Sequence, residues 1–263
     1  MSTKLRNATA SVIARFGRTR RLQPLYERLL RLSLIGLNVG GVRYGDTGEL
    51  SALNQLRGMM PSAEGALLDV GANVGDYYQL LRTAFGAGIP IHCFEPCAGT
   101  FQLLQRRVAN DPHVHPHRMA LGKEARTALL YSRKREGDLE ATLLAGDTDG
   151  AISEEVQVQT VTRFCAAHGI NRIQLLKIDT EGADFDVLLG AQELIEGGRV
   201  GAIQFEFGQR HLRARRFLRD YFELLSGFQF YRVVQDGLHP VRYSYDLEQF
   251  GNEANYVAVL QSR

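Results

Sequence analysis

Hydrophobic residues recur along this chain at two periods, and the switches between them mark out the elements. In residues 22–37, LQPLYERLLRLSLIGL, the leucines Leu22, Leu25, Leu29 and Leu32 fall at helical spacing with arginines between them. That pattern predicts an amphipathic helix within a helical lead-in of residues 1–60, which also holds the glycine-rich GLNVGGVRYGDTGE. From residue 66 onward apolar runs of strand length alternate with helical patterns. ALLDVGA, IPIHCFEP, HVHPHRMAL, RIQLLKID and RVGAIQFEF read as strands. NVGDYYQLLRTAFGAG, AGTFQLLQRRVAN, RFCAAHG, DFDVLLGAQELIEGG and HLRARRFLRDYFELLSG read as helices. Residues 126–132 and 155–161 alternate like a hairpin around a polar loop, and FQFYRVV and NYVAVLQ suit an antiparallel edge pair. Strands alternating with helices predict an α/β protein with a parallel sheet covered on both faces and made mixed by the final pair.

In such a sheet the ligand crevice lies beyond the carboxyl ends of the strands, and the polar residues that stand out fall there. The loop Asp69–Gly75 has two glycines, Gly71 and Gly75, around Ala72 and Asn73. A dinucleotide fingerprint has three, at G-x-G-x-x-G. Glu95 follows Gly75 by twenty residues at the end of the second strand, where a carboxylate accepts hydrogen bonds from ribose hydroxyls. The site therefore reads as one for a nucleoside. Asp69 and Asp76 put negative charge around the turn, which disfavours a phosphate and suits a positively charged ligand. S-adenosylmethionine, with a sulfonium and an ammonium group, fits that description. A nicotinamide cofactor is the alternative, and simple helix capping by the two acids is the structural one.

Charge and cysteines narrow the picture further. Residues 1–31 carry eight basic side chains (Lys4, Arg6, Arg15, Arg18, Arg20, Arg21, Arg28, Arg31) against Glu27, leaving 23 basic against 28 acidic residues in the rest. A mildly acidic body argues against nucleic acid as a partner. The basic, apolar lead-in suits either packing on the main domain or a peripheral membrane or protein contact through residues 1–31. Cys93, Cys97 and Cys165 are too few for a disulfide framework, and the Cys93/Cys97 spacing has no second pair to complete a zinc knuckle. A reducing, cytoplasmic setting is expected.

Together DVGANVGDY, CFEPCAGTFQLL, LLKIDTEGADFDVLLGA and IQFEFG resemble the FkbM-type S-adenosylmethionine-dependent methyltransferases over roughly residues 65–210. The resemblance implies a Rossmann-like class I methyltransferase domain over residues 61–263, with a seven-stranded, mostly parallel sheet and a C-terminal antiparallel hairpin. Residues 1–60 are a basic helical extension outside it. It implies that Gly71, Ala72, Asn73 and Gly75 face the methionine part of the cofactor, with Asp69 and Asp76 beside them. Glu95 would hold the ribose, Pro96 the wall beside it, and Ala120 and Leu121 the adenine. Asp179 would lie over the sulfonium and the acceptor.

The activity implied is O-methylation of a hydroxyl on a sugar, glycolipid or polyketide-type product. An alcohol must lose its proton as it attacks, so a base is needed. The candidates are Asp179, Glu181, Glu206 and His211, with Lys177 able to steady developing negative charge. Each has a structural alternative: a buried Lys177–Asp179 pair, a helix-capping Glu181, and a capping or surface His211. Glu206 could instead bind acceptor hydroxyls or, with Asp179, a divalent cation, which the sequence neither requires nor excludes. His113, His115 and His117 suggest a metal at first sight, but Pro112 and Pro116 favour an irregular or edge segment. The set Lys177, Asp179 and Glu206 is similar to that of RNA ribose methyltransferases, which makes RNA the second acceptor reading. A non-catalytic scaffold is the third.

Overall fold

The computed structural model describes residues 11, 13–40, 48–60, 64–132, 142–143, 152–248 and 253–261. Part of the glycine-rich connection, the tip of the expected hairpin loop, Lys4 and Arg6 fall outside them. The chain divides into two compact units, residues 1–40 and 41–263. In the first, α1 (Gln23–Gly36) starts with Pro24 in its first turn, where a missing N–H costs nothing.

The second unit is built on an eight-stranded sheet. Its strands are β1 (Ala66–Val70), β2 (Ile91–Phe94), β3 (Val114–His117), β7 (Ile173–Ile178), β8 (Val200–Phe207), β9 (Phe228–Val234), β10 (Gly237–Val241) and β11 (Ala254–Leu260). Their order is β10-β9-β11-β8-β7-β1-β2-β3. β3, β2, β1, β7 and β8 run parallel to their neighbours, while β8/β11, β11/β9 and β9/β10 pair antiparallel. The chain builds outward from β1 to β3 and then returns to add β7 on the other side. That reversal opens a crevice between the ends of β1 and β7.

The sheet differs from the sequence expectation in three ways. First, it has eight strands rather than seven, because Gly237–Val241 adds an edge strand. Pro240 there has no N–H to give a further neighbour, which suits an edge. Second, β11 pairs with β9 as expected but is not at the edge. Its Tyr256, Val257, Ala258 and Val259 are all buried, so both faces and both sides need cover. Third, the run 113–121 is two strands: β3 stays in the main sheet, while β4 (Ala120–Leu121) joins β6 (Ile152–Gln159) and β5 (Arg126–Ser132) in a small second sheet. The antiparallel β5/β6 hairpin is as the alternation predicts.

The helices α3 (Asp76–Phe85), α4 (Ala98–Val108) and α5 (Val161–Ala167) fall where the pattern placed them. Two longer expected helices are each broken. DFDVLLGAQELIEGG forms α6 (Asp184–Gly190) and α7 (Gln192–Glu196), divided at Ala191. Gly190 there lets the Gly122 carbonyl come to 2.1 Å of where a Cβ would stand. HLRARRFLRDYFELLSG forms α8 (Gln209–Arg213) and α9 (Leu218–Leu224). Arg215 takes a left-handed φ of 54° and the Arg216 N–H returns to the His211 carbonyl at 2.9 Å, a Schellman-type stop that periodicity does not reveal.

Before β1, α2 (Glu49–Met59) belongs to the second unit, although the sequence reading grouped residues 1–60 as an extension. It buries Ala52, Leu53 and Leu56 in the main core, and Gln55 accepts the Leu238 N–H at 2.8 Å.

On the β2–β3 side, His92, His115, His117 and His168 gather in one cleft. His92 Nδ1 and His117 Nε2 are 3.0 Å apart, so one ring donates and the other accepts, which requires at least one uncharged partner. Among the described residues no group of three has metal-ready geometry, and His113 lies outside the cluster. Burial, reinforced by the neighbouring imidazoles, pushes His92 down to about 3 and His117 down to about 4, from 6.5. Between pH 6.5 and 4 the unfolded chain therefore binds protons that the folded chain refuses, so stability is lost as pH falls through that window. Denaturant midpoints measured from pH 7 to 4 should fall steeply, and His92→Phe should flatten the slope. An equal slope in both proteins would assign the acid sensitivity elsewhere.

Candidate active site

The crevice is closed at its base by the turn after β1. Gly71 has φ 79°, and a Cβ on it would stand 1.8 Å from the Asp179 carbonyl oxygen. Its bare Cα lets the ends of β1 and β7 meet, with the Asp179 N–H donating to the Val70 carbonyl at 2.9 Å. The Gly71 and Ala72 N–H groups both go to the Phe94 carbonyl, at 3.0 and 2.9 Å. Gly75, with φ 88°, packs against Leu104, whose Cδ1 lies 3.0 Å from a would-be Cβ. Both glycines make room for the chain itself, and Gly71 also lines the crevice.

Glu95, just past β2, is the polar anchor of the crevice. Its carboxylate accepts the Asn73 N–H on Oε2 at 3.1 Å and the Cys97 N–H on Oε1 at 2.8 Å. A carboxylate offers about four acceptor positions, so capacity for two ligand hydroxyls is left. Burial pushes Glu95 up to about 7 against the pull of those two backbone donors. Hydroxyl donors from a ribose favour the ionised form. Glu95→Ala is thus expected to weaken S-adenosylmethionine binding by roughly 1–3 kcal/mol. In the native chain, affinity should drop as pH falls below about 7, and in Glu95→Gln that dependence should vanish. Calorimetry across pH 5.5–8.5 on the three proteins, at roughly one-unit steps, checks both; an unchanged Kd in Glu95→Ala would sink the ribose assignment.

Behind the turn, Asp69 is fully buried and ion-paired to Lys177 Nζ at 3.3 Å, and Lys177 also reaches Asp179 Oδ2 at 3.5 Å. Burial raises Asp69 while Lys177 opposes it. Lys177 lies over the Tyr77 ring at 4.9 Å, and Tyr77 donates its hydroxyl to Gln204 at 2.5 Å. The lysine sits beneath Asp179, with a side chain 7% exposed, and not among the residues that line the crevice. It holds Asp179 in place from within.

The remaining acids gather at the ends of β7 and β8. Glu181, with φ 58°, contacts Arg210 and lines the crevice; burial foremost, then the Asp179 charge, pushes it up to about 8. Glu206 is pushed up to about 9 by burial and then by Asp179, Glu253, Glu181 and Asp184. His211 is no surface residue. It is 4% exposed, its Nδ1 accepts the Gly208 N–H at 3.2 Å, and its Nε2 is 3.6 Å from Asp184 Oδ2. That makes it a cap on α8, with its titration held down by burial.

Of the residues singled out in the sequence, Gly71, Asn73, Glu95, Pro96, Ala120, Leu121, Asp179 and Glu181 come together around one crevice of about 690 Å³ counted to its open mouth. Asp69, Ala72, Gly75, Lys177, Glu206 and His211 support or flank it. Asp76 is a correction. It turns away to Arg107 at 2.7 Å on the exposed side of α3, so its charge is already paired and does not shape the ligand site. Val70, Phe94, Met119, Leu130, Thr180 and Leu143 also line the crevice. Val70, Phe94 and Thr180 adjoin quoted motifs, but Leu130 and Leu143 come from the β5/β6 hairpin and its loop, which carry no motif. The apolar strip beside Glu95 fits a flat heterocycle, and the Asp179 carboxylate at the other end fits positive charge. The residues present therefore fit a sulfonium nucleoside.

A family profile described as the methyltransferase FkbM domain matches residues 69–231. The chain is 28% identical over 148 residues to Methyltransferase 1 of Beauveria bassiana (strain ARSEF 2860), an alignment covering 48% of this chain and 58% of that protein. Among solved structures, it is similar to the methyltransferase FkbM of Methylobacillus flagellatus KT at 14% identity and a TM-score of 0.47, covering 78% of this chain and 48% of that one. It is also similar to the fibrillarin pre-rRNA processing protein of Methanococcus jannaschii at 12% identity and a TM-score of 0.40, covering 77% and 69%. The chain thus spans less than two thirds of the length of the first two relatives.

Proposed function

This chain belongs to the methyltransferase FkbM domain family, and from that membership we propose that it is an S-adenosylmethionine-dependent O-methyltransferase acting on a hydroxyl of a sugar, glycolipid or polyketide-type product. The observation that carries the reading is the shared crevice of Glu95 and Asp179, a ribose-type anchor at one end and a carboxylate at the other. Bound there, S-adenosylmethionine supplies a methyl group on an already good leaving group.

The protein's own task is then alignment and one proton. Glu95, oriented by the Asn73 N–H, fixes the nucleoside between the apolar walls. Asp179, steadied by Lys177, is placed to accept the acceptor hydroxyl's proton. Glu206, raised by burial and by the Asp179 charge, stands at the end of β8 beside this group and offers a polar contact to a hydroxylated acceptor. The RNA reading rests on the set Lys177, Asp179 and Glu206, of which Lys177 is turned inward between Asp69 and Asp179.

The test is calorimetric titration with S-adenosylmethionine and its demethylated product, with NAD as control, followed by methyl transfer to hydroxylated acceptors. Binding of the first two and formation of methyl ethers support the reading. Binding of NAD instead, or exclusive N-methyl products, would overturn it.

A further inference from the structure

We propose that α1 is a surface anchor that lies along an anionic lipid bilayer. Among the described residues, seven of the twelve exposed large hydrophobics fall between Ile13 and Leu37. Leu25, Leu29 and Leu32 recur at i, i+4 and i+7, so they share one face, and Leu30 adds apolar surface about 100° further round from Leu29. They are 49%, 47%, 64% and 59% exposed, and no residue of the helix is buried. Contiguous apolar surface of this kind costs free energy in water unless something covers it.

Charge identifies the cover. Arg28 flanks that leucine face and Arg31 lies further round on the same side, and Arg18, Arg20 and Arg21 precede the helix, with Glu27 the one acid between residues 18 and 37. A second copy of this helix would bring like charges together, whereas anionic headgroups attract them. Fourteen residues make a helix of about 21 Å, short of the roughly 30 Å hydrocarbon core. No helix among the described residues is long and apolar enough to cross a membrane. The geometry therefore suits a helix in the interface plane, leucines toward the acyl chains and arginines at headgroup level. This inference is independent of the acceptor.

The full chain should co-sediment with vesicles of phosphatidylglycerol and phosphatidylcholine, more weakly with phosphatidylcholine alone, and less as salt rises. The triple variant Leu25→Gln, Leu29→Gln, Leu32→Gln should lose partitioning by roughly tenfold or more. Its thermal midpoint and S-adenosylmethionine affinity should stay at native values, which separates lost anchoring from lost folding. Equal vesicle binding by both proteins would overturn the anchor. So would a native dimer in sedimentation equilibrium that the triple variant abolishes, because the face would then be covered by a second copy.

Discussion

Replacing Asp179 by asparagine is expected to lower kcat by roughly 10²–10⁴-fold, the usual contribution of a positioned base. Asparagine keeps the shape and can still hydrogen-bond Lys177, which lies 3.5 Å from the Asp179 carboxylate, but it cannot take the acceptor's proton. Cofactor affinity and thermal midpoint should move little by comparison. The substitution leaves an uncompensated partner for Lys177 only in part, because Asp69 still pairs with it at 3.3 Å. Single-turnover rates with a responsive hydroxyl acceptor are the measurement. A rate within about threefold of native would remove Asp179 from the proton's path, since one positioned base is worth far more than that.

Gly71→Ala is expected to be the most damaging small substitution in the protein, costing more than about 4 kcal/mol of stability. Two independent costs meet there. The left-handed φ of 79° disfavours any side chain by roughly 1–2 kcal/mol, and the new Cβ would stand 1.8 Å from the Asp179 carbonyl oxygen, which is backbone and cannot swing aside. Gly169 separates the two costs. It has φ 66° at the left-handed stop of α5 but nothing within 4 Å of a would-be Cβ, so Gly169→Ala should lose only the conformational part. Urea midpoints of the two variants test this directly. Equal destabilisation would mean that β1 and β7 can part without penalty, and the crevice would not depend on their contact.

Much of the frame was legible because its signals are local. The period switch from α1 through β8 gave the α/β class, and the strand ends carried Gly71, Glu95 and Asp179, which the fold brings to one crevice. Errors arose where a residue's role depends on a distant neighbour. Asp76 looked like part of the ligand field because it follows the glycine turn, yet the i-to-helix geometry of α3 turns it toward Arg107 on α4. For His211 the sequence left a catalytic, a capping and a surface role open, and burial beside Asp184 with the Gly208 N–H on its Nδ1 makes it the cap. The two broken helices failed for a related reason. Their stops are a close carbonyl approach at Gly190 and a left-handed arginine, neither of which disturbs the hydrophobic period.

By itself, then, the sequence determined the alternation of strands and helices, the turn chemistry after β1 and the acids at the strand ends, because hydrophobic period and spacing act over a few residues. Only the tertiary structure decided the place of β11 inside the sheet, the burial of Lys177 between Asp69 and Asp179, and the lining contributed by Leu130 and Leu143. It also set which carboxyls are raised, since Glu95, Glu181 and Glu206 owe their shifts first to desolvation. Desolvation is a property of everything packed around a group, and no run of neighbouring letters encodes it.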